Sequence, residues 1–508
     1  MKEKIPLLRR DLRIEEAAGD EKFPFRVMDG RLGQKIKLDR RGAFILETLK
    51  DSATFEEFKK KISEADGREI EEERLRKIID AFERLKFFET DGNESFASSL
   101  ESAYKGFDDN PETISLHFLP GAGFSCTMCG GCCAGHNIGP VEDDVFDACM
   151  GARFDELKRI TGSKKGLFFK MCPDGEKEDI TVCHSRNGAC VFLDDDRLCH
   201  LHKLYGEDQK PLVCRIFPFH LTMTPAGIYV GFQMECRNFL ESSKGGDLRG
   251  MEGYVRTLLK KYPPVPVIRP VIMLDEGREL DFDEYLRIEG NILEIHEDVG
   301  IPAWDAVNRV SNLLFEKSGR EPRRFADEEE AAEFFSRLIE DIYTVMIELR
   351  AELANSDEDI LFHTETLDEC AEALMNISSF VGKVFSHEDN PETGRLFRLY
   401  ARNFWFSKSA VNYRTLLTGQ AFFAFEWFLV RATAHHLARK LRRNVVFPRD
   451  IVDAMVAVDM LMRNKRLREN IRDFTGRIET LFAGNLSAVI SLKDKLTRVE
   501  ERLEFFLF

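Results

Sequence analysis

Four cysteines stand within one short glycine-rich segment, FSCTMCGGCCAG, as Cys126, Cys129, Cys132 and Cys133. Eleven of the twelve cysteines in the 508-residue chain lie between Cys126 and Cys236. Thiolates at this density suit iron–sulfur clusters, zinc or Cu(I), because soft sulfur ligands select these metals. The segment therefore predicts a metal site.

Disulfide bonds are the alternative use for so many cysteines. They form in secreted proteins, and the N-terminal sequence MKEKIPLLRRDLRIEE lacks the apolar stretch of a signal peptide. We therefore expect a cytoplasmic protein with reduced thiols.

Charge and hydropathy limit the partners. The net charge of −16 opposes phosphate groups, so we expect no nucleic-acid partner and no binding to anionic membranes. The longest apolar stretch, residues 421–434, contains Glu426 and Arg431 and is shorter than a bilayer requires, which predicts a buried helix. The basic cluster Arg463–Arg468 is expected to be a solvated helix face.

Hydrophobic patterning predicts an α+β protein, mainly α, in three domains. Residues 1–95 are predicted to form a small winged-helix-like module, in which the hairpin Phe23–Met28 and Gln34–Leu38 precedes three amphipathic helices. A polar linker, Asp91–Lys105, leads to a loop-rich metal-binding domain at 111–250. A proline-rich passage after Tyr262 precedes an α-helical bundle at 271–508.

The cysteines after the first cluster make the pattern more specific. Cys190 opens C-x-F-L, Cys199 follows, Cys214 stands in P-x-x-C-R-x-F-P, and Cys236 is last. Together with C-x2-C-x2-C-C, this pattern resembles the YkgJ-type CxxCxxCC cysteine-cluster family, which chelates zinc or iron and is often described as iron–sulfur proteins. The resemblance implies eight metal ligands: Cys126, Cys129, Cys132, Cys133, Cys190, Cys199, Cys214 and Cys236.

One branch of that family is similar in a further respect. The interval from Cys199 to Cys214, which contains Leu-Tyr-Gly-Glu, and a helical region bearing ARNFWF (401–406) resemble the flagellin lysine N-methylases. That likeness implies lysine N-methylation, with S-adenosylmethionine as a candidate methyl donor. The N-terminal part also resembles the peptide-recognition domains of the PQQ-biosynthesis chaperone type, which implies a protein or peptide substrate. The extra cysteines Cys172 and Cys183 fall outside the resemblance.

Elementary geometry narrows the ligand assignment only in part. On extended backbone the side chains of Cys132 and Cys133 would point to opposite sides, so we expect them not to share one iron. Two metal centres, or one cluster and a zinc, would use eight thiolates. Arg215 could offset the negative charge of a thiolate-bound cofactor; the alternative is a surface salt bridge.

Other residues near the cluster leave alternatives open. Cys172 and Cys183 are spaced for a hairpin that carries a further ligand pair, or they are small buried residues. Cys149 and Cys370 lie on helical patterns and are expected in the core. Nearby histidines could replace a thiolate or orient a ligand; they are His184, His200, His202 and His220.

The sequence thus supports several functions. We favour an iron–sulfur protein, with a [4Fe–4S] cluster and zinc as the alternative, that modifies a protein or peptide and resembles lysine N-methylases. A non-catalytic metal or redox protein, or a peptide-presenting partner of a separate enzyme, is the second candidate, and a structural zinc protein the third. No Gly-rich nucleotide loop or G-x-S-x-G elbow is present, and no catalytic residue is assigned.

Overall fold

A computed structural model of the chain shows a mainly helical α+β protein in which small sheets accompany many helices. The predicted fold class is confirmed. The structure describes residues 4–16, 23–32, 34–109, 113–134, 137–171, 179–242, 247–261, 272–354, 361–377, 381–384 and 390–486.

The N-terminal region has its own hydrophobic core. Its antiparallel sheet has the order β1 (Leu12–Glu16), β2 (Phe25–Asp29), β3 (Gln34–Leu38), and it is followed by helices α1 (Arg40–Lys50), α2 (Phe55–Asp66) and α3 (Glu72–Arg84). The predicted hairpin and three helices are confirmed; β1 was not foreseen. Val27, Phe58 and Phe87 are fully buried in this core.

The predicted linker after this region is wrong, because residues 91–109 form helix α4 (Asp91–Asp109). Arg31, in the turn between β2 and β3, donates to the carboxylates of Glu94 at 2.8 and 2.9 Å and of Glu101 at 2.7 and 2.9 Å. Residues seven apart lie on one helix face, so a single guanidinium bridges two turns of α4. The polar composition had indicated a loop, since it contains few apolar residues to pack.

The cysteine-rich segment consists of short elements. Two hairpins, β5–β6 and β7–β8, lie between pairs of helices, and a three-stranded sheet has β10 antiparallel to β9 and parallel to β4. The elements are β4 (Leu116–Phe118), α5 (Asp143–Met150), α6 (Phe154–Thr161), β5 (Phe168–Met171), β6 (Ile180–Cys183), β7 (Ser185–Arg186), β8 (Ala189–Cys190), α7 (His200–Tyr205), α8 (Leu212–Ile216), β9 (Phe219–Thr224), β10 (Gly227–Phe232), α9 (Arg237–Ser242) and α10 (Glu252–Lys261).

The remainder is helical, as predicted, apart from a short hairpin; the proline-rich passage at 262–271 lies outside the described residues. The elements are β11 (Ile272–Met273), β12 (Glu279–Leu280), α11 (Phe282–Glu297), α12 (Ala303–Ser318), α13 (Glu328–Ala354), α14 (Leu361–Met375), α15 (Val381–Val384), α16 (Pro391–Phe406), α17 (Leu416–Lys440), α18 (Pro448–Arg463), α19 (Lys465–Arg472) and α20 (Thr475–Ile478). Helix α17 is buried along most of its length, which confirms the buried helix predicted there. In the part of the chain that the structure describes, no helix has the length and apolarity to cross a membrane.

The β9–β10 hairpin is fixed to helix α16 by a side-chain clasp. Buried Asn403 accepts from the backbone N–H of Phe232 at 2.9 Å and donates to the Phe232 carbonyl at 2.8 Å. Gly231 lies against Ser407 so closely that a Cβ there would be 2.4 Å from the serine Cβ. The hairpin and the helices therefore share one hydrophobic core, which runs from Leu119 to Leu486.

Candidate metal centre

The first cysteine cluster lies on a tight turn. Gly131–Cys133 form one turn of 3-10 helix, and Gly130 precedes it in the left-handed region at φ 75°. A Cβ on Gly130 would lie 3.1 Å from the Cβ of Arg197, so the glycine also allows the turn to pack against the loop before α7. The turn brings Cys132 and Cys133 to the same cavity.

Four further cysteines reach this cavity from separate elements. Cys183 ends β6, Cys190 ends β8, Cys199 precedes the first turn of α7, and Cys214 lies within α8. Each element is too short to be stable alone, and the elements pack around a small core that includes Leu157 and Phe192. The cavity has a volume of about 370 Å³ and is lined by six thiols: those of Cys132, Cys133, Cys183, Cys190, Cys199 and Cys214.

The expectation that Cys132 and Cys133 point to opposite sides is wrong. It assumed extended backbone, whereas the 3-10 turn places both side chains on the cavity, where their thiols hydrogen-bond each other. That hydrogen bond lowers the pKa of Cys132 to about 7 and raises the pKa of Cys133. Cys133 is thus the donor and Cys132 the preferred thiolate.

A second thiol pair behaves in the same way. A side-chain hydrogen bond from Cys183 lowers the pKa of Cys190 and raises that of Cys183. Burial raises the pKa of Cys199 and Cys214, which opposes formation of further thiolates. Cysteines must be deprotonated to bind a metal. A metal cation in the cavity would stabilise the thiolates that burial alone disfavours.

The other three predicted ligands lie beside the cavity and do not line it. Cys126 is exposed, and its sulfur accepts from the backbone N–H of Met128 at 3.4 Å. Cys236 is buried before α9, where burial, together with the charges of Cys132 and Cys129, raises its pKa to about 12. The eight cysteines thus fall into five on the cavity and three next to it.

A comparison with protein families agrees with this arrangement. Residues 125–236 match the family model CxxCxxCC, described as "Putative zinc- or iron-chelating domain". Residues 125–236 are thus similar to this family and are called the CxxCxxCC domain below. This domain contains all eight predicted ligands, and it includes Cys183 as well. No curated protein and no solved structure matches the chain.

The donor set of the CxxCxxCC domain suits zinc or iron, because thiolates are ligands both of zinc and of iron–sulfur clusters. Six thiols line a cavity of about 370 Å³. A tetrahedral zinc site needs sulfurs about 3.8 Å apart, given a metal–sulfur distance of about 2.3 Å. Among the described residues, no three His, Cys, Asp or Glu side chains are grouped closely enough to hold one metal ion.

Cys183 is the cavity residue that the eight-cysteine pattern leaves out. The spacing of Cys172 and Cys183 predicted a hairpin that includes Cys183. Strands β5 and β6 form that hairpin. Cys172 itself lies outside the described residues. Cys149 on α5 and Cys370 on α14 are buried, as predicted.

Arg215 follows the cavity residue Cys214 on α8 but does not line the cavity itself. The guanidinium is buried and reaches Asp208 at 3.4 Å, while the Arg215 carbonyl accepts from the hydroxyl of Tyr254 at 2.9 Å. The structure therefore places it in an ion pair next to α8. Its role toward a cofactor stays a prediction.

The helical region contributes part of the cavity wall. Met460, Arg463 and Asn464, at the end of α18, contribute to the lining together with Gln233 and Glu235 after β10. Arg463 makes an ion pair with Glu235 at 3.1 Å and with Asp459 at 3.1 Å. Sequence reasoning placed Arg463 on a solvated face, and its side chain is indeed 43% exposed, yet the same side chain lines the cavity.

Proposed function

We propose that the CxxCxxCC domain holds an iron–sulfur cluster, of the [4Fe–4S] type, and that the protein modifies lysine side chains of a protein or peptide by N-methylation. The observation that carries the first part is the convergence of six thiols from five separate segments on one cavity. Cys132, Cys190, Cys199 and Cys214 would hold the cluster.

The two protonated partners have a supporting role in this proposal. Cys133 and Cys183 donate hydrogen bonds to Cys132 and Cys190, and such donors adjust the electron density on a ligating sulfur. Lys210, which also lines the cavity, favours the Cys132 thiolate by its charge. When bound through four cysteines, an iron–sulfur cluster would supply one-electron chemistry.

The placement of the cavity supports a catalytic role over a structural one. A zinc that only stabilises the fold needs four ligands closed within its own domain. Here Met460, Arg463 and Asn464 of the helical region border the same cavity, so two parts of the chain meet at the centre.

Mass spectrometry of cellular proteins tests the reaction. Proteins from cells with the chain are expected to carry methyl increments on lysine that disappear without it and with Cys214→Ala. Cys370→Ala is the matched control, because Cys370 is a buried cysteine on α14 and lies away from the cavity. Unchanged lysine masses in cells that contain the cluster-loaded protein would contradict the reaction.

A second candidate is a peptide-presenting partner of a separate enzyme. The N-terminal region has a hydrophobic core distinct from that of the helices, and its sheet ends in the edge strands β1 and β3, which could pair with an extended peptide. Photo-crosslinking of the full-length protein with a lysine peptide tests this role. Crosslinks to residues 12–16 or 34–38, without methylation of the peptide by the protein alone, would favour it.

A further inference from the structure

A second cavity lies directly beside the thiol-lined one. It has a volume of about 190 Å³ and lies between the β9–β10 hairpin and helices α16, α17 and α18. Gln233 and Arg463 line both cavities, so the two are adjacent. The exposed part of Arg463 marks a side on which solvent reaches them.

Helix α17 contributes one charged group, Glu426, to the lining of the second cavity. Its carboxylate accepts from the hydroxyl of Tyr400 at 2.7 Å and from the hydroxyl of Tyr413 at 3.3 Å. Among the described residues, no cationic side chain forms an ion pair with it, and Arg468 acts on it only through its charge. This half-buried carboxylate therefore lacks a counter-ion in direct contact.

The other charges of the cavity do not supply that counter-ion. Arg463 is already shared between Asp459 and Glu235. Burial lowers the pKa of His220 to about 4, so its imidazole is neutral near pH 7. In the lining of the second cavity, the two carboxylates of Glu426 and Asp459 thus face the one guanidinium of Arg463, and a bound cation would balance the second carboxylate.

Aromatic side chains in the lining also favour a bound cation. Phe232, Tyr400 and Phe404 line the same cavity, and ring faces attract ammonium groups. One water molecule occupies about 30 Å³ in the liquid, so the cavity has room for a short alkyl chain with an ammonium end. An alcohol of the same shape could donate a hydrogen bond to Glu426 but would bring no positive charge.

We propose that the second cavity binds the protonated amine of a substrate, with Glu426 as its counter-ion and the aromatic residues as its walls. This inference rests on the proposed function in one respect only, namely that the amine belongs to a protein or peptide substrate. The amine lies beside the thiol-lined cavity, next to Gln233 and Arg463. Glu426 is thus a residue that positions the amine and determines specificity. It lies far in sequence from the last cysteine of the cluster, Cys236.

Binding of n-butylammonium to the metal-loaded protein tests this site, with n-butanol as the neutral probe of equal shape. Saturation-transfer NMR is expected to show binding of n-butylammonium at least ten times tighter than binding of n-butanol. Glu426→Gln should remove that preference and Glu426→Asp, which keeps the charge, should retain it. Glu369→Gln is the control, because it removes a carboxylate on α14 that pairs with His436 and Lys440 outside the cavity.

The outcomes separate this inference from the proposed function. Equal binding of both probes, or an ammonium preference that survives in a folded Glu426→Gln protein, overturns the amine site whether or not lysine is methylated. If Glu426→Gln does not fold, the loss of preference is read from Phe404→Ala, which removes one aromatic wall and should weaken n-butylammonium more than n-butanol. An ammonium preference that depends on Glu426, in a protein that leaves lysine masses unchanged, supports the site while the reaction fails.

Discussion

Single residues set the geometry of the thiol-lined cavity, and Gly130 is the clearest case. Its left-handed backbone disfavours a side chain, and a Cβ there would be in tight contact with Arg197 at 3.1 Å. Gly130→Ala is expected to cost about 1–2 kcal/mol for the backbone alone, and to lower metal content because the turn carries Cys132 and Cys133. Denaturant unfolding and metal analysis measure both effects.

Gly250→Ala is the matched control for this prediction. Gly250 has no atom within 4 Å of a new Cβ and no positive φ, so the substitution should leave metal content unchanged. Equal behaviour of the two variants would show that the turn tolerates a side chain.

A second residue-scale prediction concerns pH. Burial raises the pKa of Glu426 to about 7, above its ordinary value of 4.5, so the native protein holds a proton that the unfolded chain releases. The raised pKa of Glu426 therefore lowers the free energy of unfolding as pH rises from 4.5 through about 7, by about 3 kcal/mol in total. Glu426→Gln should flatten the pH dependence of the unfolding free energy in this window. A parallel dependence in both proteins would contradict the raised pKa.

Residue type and spacing made the thiols predictable, but not the rest of the site. Cysteine chemistry is visible in the sequence, and a hairpin spacing drew attention to Cys183. Glu426 and Arg463 looked like charges that interrupt an apolar helix or cover a solvated face. Only the packing of α17 and α18 against β10 shows that they line cavities, because no local pattern encodes contacts across hundreds of positions.

Among the elements, helix α16 has the most direct influence on the site. Asn403 satisfies both backbone groups of Phe232 at the end of β10, immediately before Gln233. Asn403→Leu would leave a buried N–H and a buried carbonyl without partners, at a cost of about 1–3 kcal/mol for each group. We expect a lower unfolding free energy and weaker probe binding in the second cavity.

Asn376→Leu provides the comparison for this element-scale prediction. Asn376 donates to the carbonyl of Glu372 in its own helical turn through a hydrogen bond that is exposed to solvent, so its loss should be milder. Calorimetric melting temperatures of both variants test this difference. Equal destabilisation would mean that the hydrogen bonds of Asn403 to Phe232 add no more stability than the hydrogen bond of Asn376.

Element boundaries show where sequence patterns succeed and where they fail. Apolar periodicity predicted α1–α3 and the helices after residue 282, because each buries a continuous face. Helix α4 was missed, since few of its residues are apolar and two of its glutamates pair with Arg31 from a distant turn. The strand β1 was missed too, because the alternation in Leu12–Glu16 is short and mostly polar.

At the scale of the whole molecule, the cysteine segment contributes to two hydrophobic cores. The cluster around Leu157 and Phe192 belongs to the metal-binding loops, while β9 and β10 belong to the large helical core. Removal of metal is therefore expected to expose residues 137–216 to trypsin before helices α11–α20, because the small core depends on the thiol-lined cavity. Simultaneous cleavage of both regions would contradict this order.

Anaerobic iron and acid-labile sulfide analysis tests most directly whether the six thiols on one cavity hold an iron–sulfur cluster. We expect brown protein with broad visible absorption, iron and sulfide in equal amounts, and loss of both in Cys199→Ser but not in Cys370→Ser. Colourless protein that contains stoichiometric zinc and no sulfide would contradict it.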